Sequence, residues 1–433
     1  MEIGSKAGRK HFKVKYDYVI NFPKQYSFFE SGVVKIDAIL APLNWSIKSA
    51  TVLLDFSKCT VASYQALTLV ILYMWHLKST KCSVHVKFAH GYVGVRKMWN
   101  MLGAEKWLDV LIGKSETFSS YEVKLLHSIR NYDSIKLTLE KASKYIDQFD
   151  VGYKNLMNYI IFEVLSNSLD HGWNRYSYKG AIKSIPGLIS LNWLAKRDEL
   201  HFIIADVGIG ILEHLRNFIP ALPNDTEAIK AAVQPKISGT FSSSGNYAAK
   251  NNAGMGLYYS SNIAKRLNAD MYIISGKGVM HISPMDITTS ELVNRWNGTF
   301  IFVRVRLSRS DAVNYEKMMG EIRESARKEV EERDKEEGKG SYYINLENYF
   351  GRHLNNKDDA IKFRERRLIR EVSLGKTIII DFNNIEFAPH SFLNALLSDP
   401  IRIMGIEAYK RIKIINYTVE YRGTIDYILD QNT

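Results

Sequence analysis

The sequence predicts an α/β protein of the α+β kind, with a central α/β sandwich domain flanked by two smaller α/β modules. Three observations lead there. Strand and helix signals alternate over residues 33–112, which implies a sheet with helices packed on it. The same arrangement returns near the C-terminus: T-I-I-I-D-F-N-N-I-E-F from Thr377 matches T-V-L-L-D-F-S-K-C-T-V from Thr51 in residue type, position by position. Between them stand three short polar boxes, at Glu163, Asp206 and Gly254, each placed at a helix or a strand end. The predicted divisions are a module at 1–115, a central domain at 120–308, a charged helical linker at 309–340 and a second module at 341–433.

In the first module V-V-K-I-D-A-I-L from Val33 is a strand candidate, and T-V-L-L-D-F from Thr51 reads as a buried strand. The apolar run from Ala66 to Leu77 reads as a buried helix. S-V-H-V-K-F from Ser83 is the next strand, and Val93 to Leu102 an amphipathic helix. In the linker, opposite charges three and four residues apart support a solvated helix, which Gly-Lys-Gly at 338–340 ends. A helix from Ser391 to Leu397 follows the Thr377 strand at the distance seen after the Thr51 strand.

At 433 residues the chain is long enough for two or three domains. Apolar residues make up 46% and charged residues 24%, the balance of a soluble globular protein. No stretch reaches the roughly 18 to 20 apolar residues that a membrane helix needs. Met1 to Lys15 lacks the apolar core of a signal peptide, so a cytoplasmic location is expected. The two cysteines, Cys59 and Cys82, exclude a disulfide framework and a four-cysteine metal site. A net charge of +12 permits contact with a polyanion. The basic residues are spread along the chain without a nucleic-acid motif, so that contact is not favoured.

The first box, E-V-L-S-N-S-L-D-H-G from Glu163, lies on a helix expected over 153–171. Asn155, Tyr159, Glu163, Asn167 and His171 fall four apart along one stripe, while Leu156, Ile160, Ile161, Val164 and Leu165 cover the core side. A buried Asn or Glu needs a partner, since an unpaired polar group costs about 1–3 kcal/mol. A hydrated Mg²⁺ ion is such a partner, because it takes few protein ligands and completes its shell with water and phosphate oxygens. Asn167 would supply one oxygen, and Glu163, a turn earlier, could act as a general base. The second box ends the apolar strand His201 to Ala205 with Asp206, followed by Gly208 and Gly210, whose missing side chains allow a tight turn. In the third, Gly254, Met255, Gly256 and Leu257 open a helix whose backbone N–H groups suit phosphate. The polar stretch from Ile211 to Ala253 has the length of a functional lid. Within it Lys250, Asn251 and Asn252 are candidate phosphate contacts.

Together with N-G-T-F-I-F-V from Asn297, these boxes resemble the nucleotide-binding domain shared by DNA gyrase, Hsp90, MutL and histidine kinases, the GHKL or Bergerat ATPase fold. The resemblance covers about residues 120–308. It implies ATP and Mg²⁺ as cofactors, Asp206 on the adenine amino group, Asn167 on magnesium, Glu163 as catalytic base, the 211–253 stretch as ATP lid and Thr299 at the adenine pocket. The flanking modules resemble STAS domains, whose strand ends in Asp-apolar-Ser as at Asp55, Phe56 and Ser57. In anti-sigma systems a kinase of the Bergerat fold phosphorylates a Ser or Thr at the start of the following helix. Ser391 occupies that neighbourhood and is a candidate phosphoacceptor, although the Asp that usually precedes it is absent. Ser63 is the poorer N-terminal counterpart. His127 lacks the context of a histidine-kinase phosphoacceptor and reads as structural or surface.

Three functions stay open. One is an ATP-hydrolysing or phosphotransferring regulatory switch with protein partners at the STAS-like modules. The others are a non-catalytic ATP/ADP sensor or scaffold, and a polyanion- or DNA-binding ATPase. Glu163 favours the first, because binding alone needs no base. The fold is compatible with a homodimer.

Overall fold

The computed structural model describes residues 14–30, 33–91, 94–115, 117–118, 124–146, 149–171, 174–178, 180–194, 197–216, 219, 222–235, 255–306, 313–337 and 340–433. It is a mixed α+β structure. The chain forms two compact units. One comprises Met1–Phe149, Ile161–Gly210 and Ala264–Ser310, the other Asp150–Ile160, Ile211–Ile263 and Asp311–Thr433.

The first unit contains two main sheets. A parallel sheet sets the strand Thr51–Phe56 between Tyr18–Asn21 and Ser83–Phe88, with Asn21, Asp55 and Lys87 on one rung. The helix Tyr64–Ser79 follows, capped by Ser63, whose Oγ accepts from the Ala66 N–H at 3.3 Å. This helix is buried on nearly every side, which a helix apolar all round requires. It packs against both the parallel sheet and a five-stranded antiparallel sheet. That second sheet has the order Ala269–Ile282, Ile287–Arg306, Glu199–Ala205, Gly187–Leu194, Lys124–Ile129.

One face of the antiparallel sheet, with Leu188, Ile203, Ala205, Phe300 and Phe302, joins the core of the N-terminal region. The Phe28 ring lies 5.1 Å from that of Phe302, and Trp45 stands edge-on to Trp296 at 5.1 Å. The core therefore runs on across residue 115. On the opposite face Leu200, Phe202, Ile204, Val303 and Val305 are equally buried.

The second unit holds the C-terminal module, a parallel sheet with Thr377–Asp381 between Ser341–Asn345 and Ile412–Ile415. Its core is its own, including Ile344, Ile380, Phe392, Leu396 and Ile425. Asn345 pairs with Asp381 as Asn21 pairs with Asp55, so the internal similarity in sequence corresponds to a shared topology. In both modules the aspartate Oδ1 accepts a backbone N–H two residues on, from Ser57 and from Asn383, each at 2.8 Å. These Asx turns end the strand and start the loop towards the helix.

Three expectations change. The strand expected from Val33 is a two-residue strand, Val33–Val34, followed by the helix Ile36–Leu40. Asp37 in its first turn accepts the Asn294 N–H at 2.8 Å, a tertiary contact that holds this short helix. The stretch after Ile211 is not all loop: Gly210–Arg216 and Asp225–Ala232 are helical, the latter capped by Asn224. Finally, the strands Tyr18–Asn21 and Ser341–Asn345 complete the two parallel sheets without having been expected. The linker forms the helix Tyr315–Glu337, with pairs such as Arg327–Glu324 at 2.8 Å.

Candidate functional site

Asp206 follows the last residue of the strand Glu199–Ala205 and is 6% exposed. Its Oδ1 accepts two backbone N–H groups, from Gly208 at 2.8 Å and from Thr299 at 3.2 Å. Its own N–H donates to the Thr299 carbonyl at 2.9 Å, and its carbonyl accepts from Trp296 Nε1 at 2.9 Å. Among the described residues Oδ2 takes no hydrogen bond. Burial pushes the carboxyl up to about 6, against the two N–H bonds that favour its ionised form.

The glycines here are required by close approach. A Cβ on Gly298, where φ is +126°, would stand 2.4 Å from the Asp206 carbonyl oxygen. At Gly210, where φ is +79°, it would stand 3.0 Å from Ser275 Oγ. Ser275 ties this corner together, donating to the Gly298 carbonyl and accepting from Thr299 Oγ1. An open depression of about 410 Å³ lies beside the turn, lined by Gly208, Gly298, His76 and Arg295 but not by the Asp206 carboxyl.

Glu163 and Asn167 lie on the helix Val151–His171, both half-buried. Leu156, Ile160, Ile161, Val164 and Leu165 are buried, as their spacing requires. Gly187, which opens the neighbouring strand, allows the close approach. A Cβ there would lie 2.6 Å from Ser168 Oγ and 3.5 Å from the Ala205 carbonyl oxygen. The helical turn of Asn167 and the strand end before Asp206 therefore meet across Gly187. The negative charges of Asp170 and Glu163 add to burial in raising the Tyr132 hydroxyl, which donates to Asp170 at 3.2 Å. The Asn167 amide makes no hydrogen bond among the described residues.

The structure thus brings together Asp206, Gly208, Gly210 and Thr299, and sets the Asn167 helix beside them. Of the third box, Met255 is buried and Gly256 begins the helix Gly256–Arg266, with Leu257 half-buried. Lys250, Asn251, Asn252 and Gly254 lie outside the described residues, as does most of the expected lid. His127 is buried on the strand Lys124–Ile129 with Nδ1 3.0 Å from Thr138 Oγ1. Burial and the nearby Lys141 push it down to about 4, the setting of a neutral structural histidine. Sequence reasoning missed Ser275 and Trp296. Trp296, directly before N-G-T, was within reach as a large residue two positions before a required glycine.

Ser391 is exposed, the second residue of the helix His390–Met404, which has no side-chain cap. Counted from the strand aspartate, Ser63 stands at the place of Pro389 and Gln65 at that of Ser391. Ser63 Oγ is engaged by the N–H groups of Phe28 and Ala66.

Residues 359–422 match the model of a family described as a STAS-like domain of unknown function (DUF4325). The match spans the Asp381 strand and the Ser391 helix, and a STAS-like domain suggests a regulatory or signalling role. No curated protein matches the chain. Among the described residues no helix is long and apolar enough to cross a membrane.

Proposed function

We propose that the chain binds Mg-ATP and acts as a regulatory switch of the Bergerat type, hydrolysing ATP or passing its terminal phosphate to a STAS-type Ser or Thr. The observation that carries this reading is the Asp206 carboxyl. One of its oxygens is fixed by two backbone N–H groups, while the other takes no hydrogen bond among the described residues. On a side chain only 6% exposed, that open acceptor is placed to meet a donor supplied by a ligand. The amino group of adenine is such a donor; guanine presents a carbonyl oxygen there and is rejected.

The residues fit magnesium as well. No cluster of three or more His, Cys, Asp or Glu suited to a metal occurs among the described residues. An ion held mainly by phosphate and water needs only a ligand such as the Asn167 amide. Bound magnesium would neutralise phosphate charge. Glu163 would take the proton of the attacking group. By the resemblance, Lys250, Asn252, Gly254, Met255, Gly256 and Leu257 would be the phosphate contacts.

Two variants on one helix test the proposal. Asn167→Ala should lose both ATP affinity and turnover. Glu163→Gln should hold ATP within a few-fold of the parent while its turnover falls by ~10²–10⁴. Calorimetry and a phosphate-release assay read the two effects separately. Turnover by Glu163→Gln at the parental rate would remove the base from the mechanism. A parent that binds ATP without turnover or phosphoprotein would be a sensor.

A further inference from the structure

A second cavity, of about 400 Å³, lies within the first unit, between the start of the helix Tyr64–Ser79 and one end of the antiparallel sheet. Its volume is that of a small-molecule site. The sheet supplies a polar rung, Asn192, His201 and Arg304, in direct cross-strand register and therefore on one face. Two of these polar groups are satisfied within the protein. His201 Nε2 lies 3.0 Å from Glu199 Oε2, and Arg304 pairs with Asp270. The walls are largely apolar, with Phe29, Met98 and Leu194.

Two lining groups are not satisfied. Gln65, in the first turn of the helix, is 2% exposed, and its amide makes no hydrogen bond among the described residues. Its amide presents a donor and an acceptor side by side for a ligand to meet. Arg197 is exposed and likewise makes no hydrogen bond or ion pair among the described residues. A site with apolar walls, an unmet buried amide and an unpaired cation selects for shape, one hydrogen-bonding group and one negative charge.

We infer that this cavity binds a small amphiphilic acid, with its apolar body against Phe29, Met98 and Leu194, a hydrogen-bonding group on Gln65 and its anion on Arg197. The site is distinct from the Asp206 corner, though Glu199 and His201 lie on the strand that ends before Asp206.

The test uses the full chain without nucleotide, so its outcome does not depend on the ATP reading. Binding of 4-hydroxyphenylacetate, phenylacetate and hexanoate is followed by ligand-detected NMR and calorimetry, with 4-hydroxyphenylacetamide as the neutral control. Saturable binding of at least one acid is expected. Gln65→Leu should weaken 4-hydroxyphenylacetate at least fivefold while leaving Tm unchanged or raised, because it replaces a side chain that makes no hydrogen bond among the described residues by an apolar one. Arg197→Ala should weaken the acid but not the amide. The proposal is overturned if none of the three acids binds saturably, or if both variants bind as the parent does.

Discussion

Asp206 sets two properties against each other. Its carboxyl is raised from 3.8 to about 6 in the folded protein. Between those values the folded state keeps a proton that the unfolded state has released, so stability falls as pH rises across the window and stays lower above it. A displacement of that size corresponds to about 3 kcal/mol. Asparagine keeps the acceptor for Gly208 and Thr299 and cannot ionise. Asp206→Asn should therefore melt higher than the parent at pH 7 and no higher at pH 4. His127, lowered to about 4, tilts stability the opposite way over a similar range, but it is common to both proteins and cancels in the difference. The same variant should lose ATP affinity by ~1.5–3 kcal/mol, since a charged acceptor is gone. Calorimetry with ATP and GTP, beside melts at the two pH values, checks both; equal affinity of the parent for the two nucleotides would end the adenine assignment.

Among elements, the seam between the Asn167 helix and the sheet rests on one missing side chain. Gly187→Ala should destabilise the protein by ~1–3 kcal/mol through the clash with Ser168 Oγ. Adding Ser168→Ala, which removes that oxygen, should restore most of the loss, and chemical denaturation of the four proteins in the cycle measures the coupling. At Gly298 the obstacle is the Asp206 backbone, so no partner change should rescue Gly298→Ala, expected to cost about 3 kcal/mol or more. Such seams were half legible. The four-residue spacing on Val151–His171 and the apolar run before Asp206 are periodic signals, and both elements appear where those signals stand. The helix Ile36–Leu40 was not legible, because its hold comes from Asn294, more than two hundred residues away. The helix Asp225–Ala232 was legible and overlooked: Asn224 three residues before Glu227 is an N-cap signal. The edge strands are short, yet Tyr18-Val19-Ile20-Asn21-Phe22 is echoed by Tyr342-Tyr343-Ile344-Asn345-Leu346, and the repeat first seen at Asp55 and Asp381 extends to them.

At the scale of the molecule, the two parallel modules share a topology and differ at the start of the helix. Ser63 is locked as a cap, while Ser391 faces solvent at the positive end of its helix, where added phosphate would be favoured. Incubation with ATP followed by mass spectrometry should place phosphate on Ser391 and none on Ser63. ATP consumption with Ser391 unmodified would identify hydrolysis as the activity. The chain also weaves between its two units, each gathering three separate segments, and the helix Val151–His171 gives its first ten residues to one and the remainder to the other. During synthesis the N-terminal region therefore emerges well before the strands Ala269–Ile282 and Ile287–Arg306 that complete its unit. The largely buried helix Tyr64–Ser79 must meanwhile wait with one apolar side uncovered. A nascent chain that has emerged only to a point before residue 264 should be chaperone-bound and protease-sensitive, and one that has emerged beyond residue 310 should shed both traits; the emergence of that late hairpin marks the moment when the newborn protein first closes its core.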